Sequence, residues 1–281
     1  TKAPWSRRCA QGSASRADMP RMSWSLVLVV SAWSLAQTAP TAVAGDAVFE
    51  ALRRDGRAAD IEPLARERLT RDPRDDVALW YLASVSSGKP DKRAAVIPMA
   101  ERCVVERPRS AWCHSALGRL YGVEAMSRGA MGGMRYAGRI KDAFEKAVEL
   151  APSDHEMRSD LVSYYLAAPA IVGGGSRKAM ASAEAFAKVD PWRGAVMISR
   201  VLAYEGKFEA AEDRLRPLVP ADAERRDLLA LGYLRIAGAH QRAGDIPKAL
   251  TLIDKTLTIA PTGPVSDNAR RQREALLKRR S

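Results

Sequence analysis

Ala143-Phe144-Glu145-Lys146-Ala147-Val148-Glu149-Leu150-Ala151-Pro152 is echoed in kind by Leu250 to Pro261, which closes Leu257-Thr258-Ile259-Ala260-Pro261. Each is an apolar-periodic run ended by proline, a residue that cannot continue a helix. Pro73 and Pro108 close two further runs 35 residues apart, and Pro191 closes another. Self-similarity at such a period marks a stack of small helical units, each unable to bury its apolar face alone. Composition agrees. The chain has 281 residues, 47% of them apolar and only 6% aromatic, which excludes disorder over its length and favours helix over sheet.

The units can be phased against one another. Counting back from Pro261, Tyr233 falls at position 4, Ile236 and Ala237 at 7 and 8, His240 at 11, Ala249 at 20 and Ile253 at 24, with Gly244-Asp245 in the turn. The fifth unit gives Ile198, Ser199, Gly206, Ala211 and Leu215 at equivalent places; the second gives Trp80, Ala83, Ser84 and Cys103. A weaker first unit has Val48, Leu52 and Gly56. Leu117-Gly118 and Tyr121 phase a third unit, Leu161 and Tyr165 a fourth. In these two the closing proline comes ten and five residues late. The surplus is predicted to form interhelical loops at Ser127 to Gly138 and Ala168 to Ser176.

This pattern resembles the tetratricopeptide repeat (TPR), a helix–turn–helix of about 34 residues. The resemblance implies an all-α fold: an α-solenoid of five to six TPR-like repeats, with two inserted interhelical loops and a C-terminal capping helix. Small residues at positions 8 and 20 let the two helices of a unit approach closely. The inserted Ile-Val-Gly-Gly-Gly turn is similar to those of exported bacterial repeat proteins. For function the fold implies only binding, because such repeats hold many unrelated partners.

Ahead of the repeats lies a targeting pattern. Residues 1–18 read as a non-native or disordered leader, with Met19 and Met22 as plausible starts. Residues 19–44 read as a signal peptide: Arg21, a short apolar stretch from Trp24 to Ala36, then the small-x-small site Ala42-Val43-Ala44. That stretch is too short to cross a hydrocarbon core of about 30 Å. Cleavage near Ala44 predicts a periplasmic or secreted protein. The whole chain carries 45 Lys+Arg against 33 Asp+Glu, a net +12, and cleavage leaves about +8. The solenoid is assigned to 45–264 and a basic capping helix or tail to 265–281.

No recognised catalytic constellation, phosphate loop or dinucleotide fingerprint is present, so no enzyme activity and no cofactor are assigned. His114, His155 and His240 sit at helix-packing or surface positions, without metal-binding spacing. The leading expectation is a non-enzymatic scaffold binding a peptide or protein in its concave groove. The alternatives are a self-associating structural solenoid and an enzyme with an unrecognised site. The resemblance places helix A of each unit along that groove, which assigns Tyr81, Trp112, Arg119, Arg193 and Arg200 to partner binding. Tyr81 and Trp112 packing against neighbouring helices is the competing reading. The Lys/Asn clamp of chaperone-tail binders is absent, since Asn268 is the chain's only asparagine.

Three further features stand out. Gly173-Gly174-Gly175-Ser176-Arg177-Lys178 reads first as a turn in which Ser176 caps the next helix, with a partner contact or an anion cradle as alternatives. The tail, with Arg270, Arg271, Arg273, Lys278, Arg279 and Arg280, reads as a solvent-facing cap, or as a peripheral contact with an anionic membrane. Nucleic acid is not an expected partner. Cys103 and Cys113 lie equidistant from Pro108, across the turn between antiparallel helices. Either a disulfide or two packed thiols fits.

Overall fold

Among the described residues, six helical hairpins and a closing helix follow one another. The computed structural model describes residues 46–278, apart from the side chains of residues 130 and 131. The stretches read above as leader and signal peptide, with the expected cleavage site, and Arg279 and Arg280 lie outside the described residues. The pairs are α1 (Ala47–Arg54) with α2 (Ala58–Arg71), α3 (Asp76–Ser86) with α4 (Pro90–Glu106), and α5 (Ala111–Ser127) with α6 (Gly129–Leu150). Then come α7 (His155–Ala167) with α8 (Ser176–Ala187), α9 (Pro191–Tyr204) with α10 (Phe208–Leu215), and α11 (Ala223–Arg242) with α12 (Ile246–Ile259). Helix α13 (Pro264–Lys278) packs on the last pair.

The first helix of each pair is here called an A helix, the second a B helix. Pro73, Pro108, Pro152 and Pro261 each stand two residues past a B helix and three ahead of the next helix. Every A helix begins at a residue whose side chain accepts a backbone N–H of the first turn: Asp46, Asp75, Ser110, Asp154, Asp190 and Asp222. Within the first, fifth and sixth pairs the turn is made by Gly56, Gly206 and Gly244, all at positive φ.

Close approach comes from small residues. Ala211, Ala237 and Ala249 are buried, and a Cβ on Gly118 would lie 2.6 Å from the Phe144 ring, which therefore sits directly on the α5 backbone. A helices also pack side by side, α3 on α5 and α9 on α11 most extensively. One apolar core runs from Phe49 through Val201 and a second from Val196 to Leu276, with Leu202 of α9 touching both.

Four details differ from the sequence expectation. The surplus of the third unit is not a loop. It lengthens both helices of that pair, leaving only Arg128 between them, with Gly129 at φ +67°. Pro191 opens α9 rather than trailing α8, and α11 starts at Ala223, well before the phased unit. Ser176 is the first residue of α8, not its cap; Gly175 holds the cap position and no side chain caps that end.

Cys103 of α4 and Cys113 of α5 form a disulfide, with Cα atoms 5.5 Å apart. Within the described part of the basic tail, two arginines are tied to their own protein. Arg270 donates to Pro261 O at 2.7 Å, Arg273 to Asp254 at 2.8 Å, and Ala269 and Leu276 are buried. That arrangement is a cap, and it lends no support to membrane contact through this segment. Among the described residues no helix is long and apolar enough to cross a membrane.

Candidate partner-binding groove

Residues one repeat apart stand side by side on neighbouring A helices, and this builds the surface. Trp80 Nε1–H donates to Ser115 Oγ at 2.8 Å, and the two are 35 residues apart. Ser84 and Arg119, also 35 apart, meet at 3.2 Å. Ser115 passes the bond on to Asp160 of α7 at 2.7 Å. Arg119 then clamps two carboxylates, donating Nε–H to Asp160 at 2.7 Å and Nη2–H to Glu156 at 2.8 Å, while its plane lies 4.2 Å from the Trp80 ring centre. Arg53 closes the far side of Glu156 at 3.3 Å. Burial alone would raise the Glu156 pKa, but the Arg119 and Arg53 charges hold it at about 2.

The five residues assigned to partner binding divide sharply. Tyr81 and Trp112 are 1% and 5% exposed and belong to the core. Tyr81 stacks on Phe49 with ring centres 4.3 Å apart and Trp112 packs edge-on against Trp80 at 5.0 Å. The reason is that α3 and α5 have neighbours on several sides; residues 78–83 of α3 are buried without a break. Arg119 faces the groove but is bound to Asp160 and Glu156, and Arg193 is bound to Asp190 at 2.8 Å and Glu224 at 2.7 Å. Arg200 alone of the five is half-buried with no hydrogen bond or ion pair among the described residues.

Both length anomalies converge on one place. The lengthened α5–α6 hairpin and the segment from Ala168 to Gly175 wall a cup of about 960 Å³, floored by α7. Its apolar lining includes Val123, Met126, Met134, Phe144, Tyr164 and Ile171. Met126, Met134 and Ile171 are 73%, 60% and 86% exposed, so the rim holds large apolar side chains in water. The segment itself is firmly built. Tyr164 hydroxyl lies 2.6 Å from Val172 O, Gly175 N–H donates to Tyr165 O at 2.7 Å, and a Cβ on Gly174 would fall 1.8 Å from Ala168 O. Lys178 donates to Gly173 O at 3.0 Å, which turns that ammonium onto the glycine run's own backbone.

Side-by-side units one repeat apart, small residues where paired helices touch and glycine turns within pairs decide the fold. It is an α-solenoid of tetratricopeptide-like helix pairs. No family model matches the chain, and no curated protein does. Among solved structures it is similar to TTC0263, a thermophilic TPR protein of Thermus thermophilus, with 19% identity over 82% of this chain and 94% of that one, TM-score 0.48. It is also similar to YrrB, described as a TPR protein with an unusual peptide-binding site, with 15% identity over 74% and 97%, TM-score 0.38. A third likeness, to Naa15/Naa10 bound to HypK-THB, has 16% identity over 79% of this chain and 34% of that one, TM-score 0.36.

Sequence reasoning missed two groove residues, Arg235 and Arg242 of α11. The signal was present. Arg235 follows Arg200 by 35 residues, one repeat, and Arg242 follows Arg235 by seven, two helical turns on the same face.

Proposed function

We propose that this chain is an exported, non-enzymatic scaffold that holds a segment of another protein along its A helices. The observation that carries the reading is the cup: two independent insertions build one recess, and its rim exposes Met126, Met134 and Ile171. Exposed apolar clusters rimming a recess mark surfaces covered by a partner. Methionines suit such a surface because they repack around different side chains. Export is supported by Ala42-Val43-Ala44 behind a short apolar stretch and by the Cys103–Cys113 bond, which persists in an oxidising compartment. N-terminal sequencing of the exported protein should give a start at or near Gly45.

Affinity capture from the envelope fraction tests the binding reading. A stoichiometric second protein should be retained by the wild type and by Val105→Asp, a change at an exposed B-helix position. It should be lost with Ile171→Asp. Recovery of nothing but copies of this chain would favour self-association and contradict the scaffold reading. Retention of the partner by Ile171→Asp would remove the cup from the binding surface.

A further inference from the structure

Beside the cup lies a second recess, of about 530 Å³, with a different chemistry. Arg200, Arg235 and Arg242 line it, together with Ser163 of α7 and Asn268 and Gln272 of α13. Arg235 lines the cup as well, so the recess and the cup adjoin. Among the described residues none of the three arginines has a hydrogen bond or an ion pair. Arg53, Arg119 and Arg193, by contrast, are all paired. The carboxylates within electrostatic reach are Glu156 and Asp160, and both are already engaged by Arg53 or Arg119.

Such an arrangement is costly by itself. A guanidinium withdrawn from water is ordinarily matched by an anion. Here burial, and then the neighbouring Arg200 charge, push Arg235 down to about 10, and burial pushes Arg200 down too. Two cations one repeat apart, lining the same recess with no carboxylate of their own bonded to them, fit a site completed by a ligand.

We propose that Arg200 and Arg235, with Arg242 at the rim, form an anion site that takes one carboxylate of the segment bound in the groove. This rests on the binding reading above and names the partner's chemistry: an acidic group next to an apolar side chain that enters the cup. A planar guanidinium matches a carboxylate through paired N–H donors. Glu156 and Asp160 nearby lower the local positive potential, which suits a singly charged carboxylate better than a dianionic phosphate. The carboxylate can be an Asp or Glu side chain or a chain terminus.

The test uses the full chain and fluorescein-labelled 12-residue peptides selected on it from a random library. Each is then made in Glu, Gln and phosphoserine forms at its acidic position, with free and amidated C-termini. Fluorescence polarisation should show the Glu form, or the free terminus, binding at least about tenfold more tightly than its neutral match, the usual scale for a charged hydrogen-bonded pair. Arg200→Met/Arg235→Met should reduce that preference to near unity while melting no lower than the wild type, because two unmatched charges have been removed. Which arm, Glu or free terminus, carries the preference identifies the carboxylate's source. Equal binding of charged and neutral forms by a peptide still lost with Ile171→Asp would overturn the anion site and leave the groove reading standing. Tighter binding of the phosphoserine form would overturn the carboxylate assignment. A double variant that melts well below wild type would make the arginines structural and overturn the proposal. Selection of no peptide sensitive to either variant would overturn both readings.

Discussion

Arg119 shows how one side chain can hold three helices and still be taken out of reach of a partner. It spans Trp80 of α3, Glu156 and Asp160 of α7, and its own α5. Arg119→Ala would leave two partly buried carboxylates short of their counter-charge. Such a loss costs about 3 kcal/mol, readable as a lower urea midpoint with an unchanged slope. Because Glu156 is held below its ordinary 4.5, its contribution is complete above about pH 4.5 and fades as the pH falls towards 2. The wild-type advantage over Arg119→Ala should therefore shrink in acid. Asp154 behaves oppositely. Burial pushes it up to about 6, so between about pH 4 and 6 the folded chain keeps a proton that the unfolded chain has released. Its contribution to stability falls as the pH rises through that window. Asp154→Asn keeps an acceptor for Met157 N–H and removes the charge. Denaturation at pH 7 should find it equal to or more stable than wild type, by up to about 3 kcal/mol, and at pH 4 the gap should close.

At the scale of elements, the turns and the Ala168 to Ser176 insertion were legible, and the insertion at Ser127 to Gly138 was not. Gly56, Gly206 and Gly244 could be placed because a helix reversal needs positive φ, and glycine supplies it without strain. Small residues could be placed because paired helices cannot approach across large ones. The stretch from Ser127 to Gly138 contains four glycines and so reads as a loop, yet only Gly129, the first residue of α6, has positive φ; the others are ordinary helical residues further along α6. Packing of α6 along the lengthened α5 outweighs a propensity cost of about 1 kcal/mol per glycine. Trp112 and Tyr81 misled for a related reason: helix period says which residues share a face, but not how many faces a neighbour covers. The disulfide joins α4 to α5 at their shared turn, closing a loop with a sequence separation of 10. Loop entropy assigns it about 2–3 kcal/mol. Cys103→Ala/Cys113→Ala should lose that amount under oxidising conditions and show no difference from the reduced wild type.

Across the described molecule, the cores hand over at α9, and stability should follow a chain of neighbouring units rather than a single centre. Function is concentrated where that regularity breaks. The insertions of the third and fourth units form the cup, and unmatched arginines of the fifth and sixth form the recess beside it. The central claim is that this side of the stack holds a partner in the cell. A photo-reactive phenylalanine analogue placed in turn at Ile171, Tyr204 and Val105, all exposed positions, tests it most directly. Irradiation of cells should give one discrete adduct, of the same partner, from Ile171 at the cup and Tyr204 at the recess, and none from Val105 on its B helix. Adducts from Val105 with none from Ile171 or Tyr204 would contradict the account.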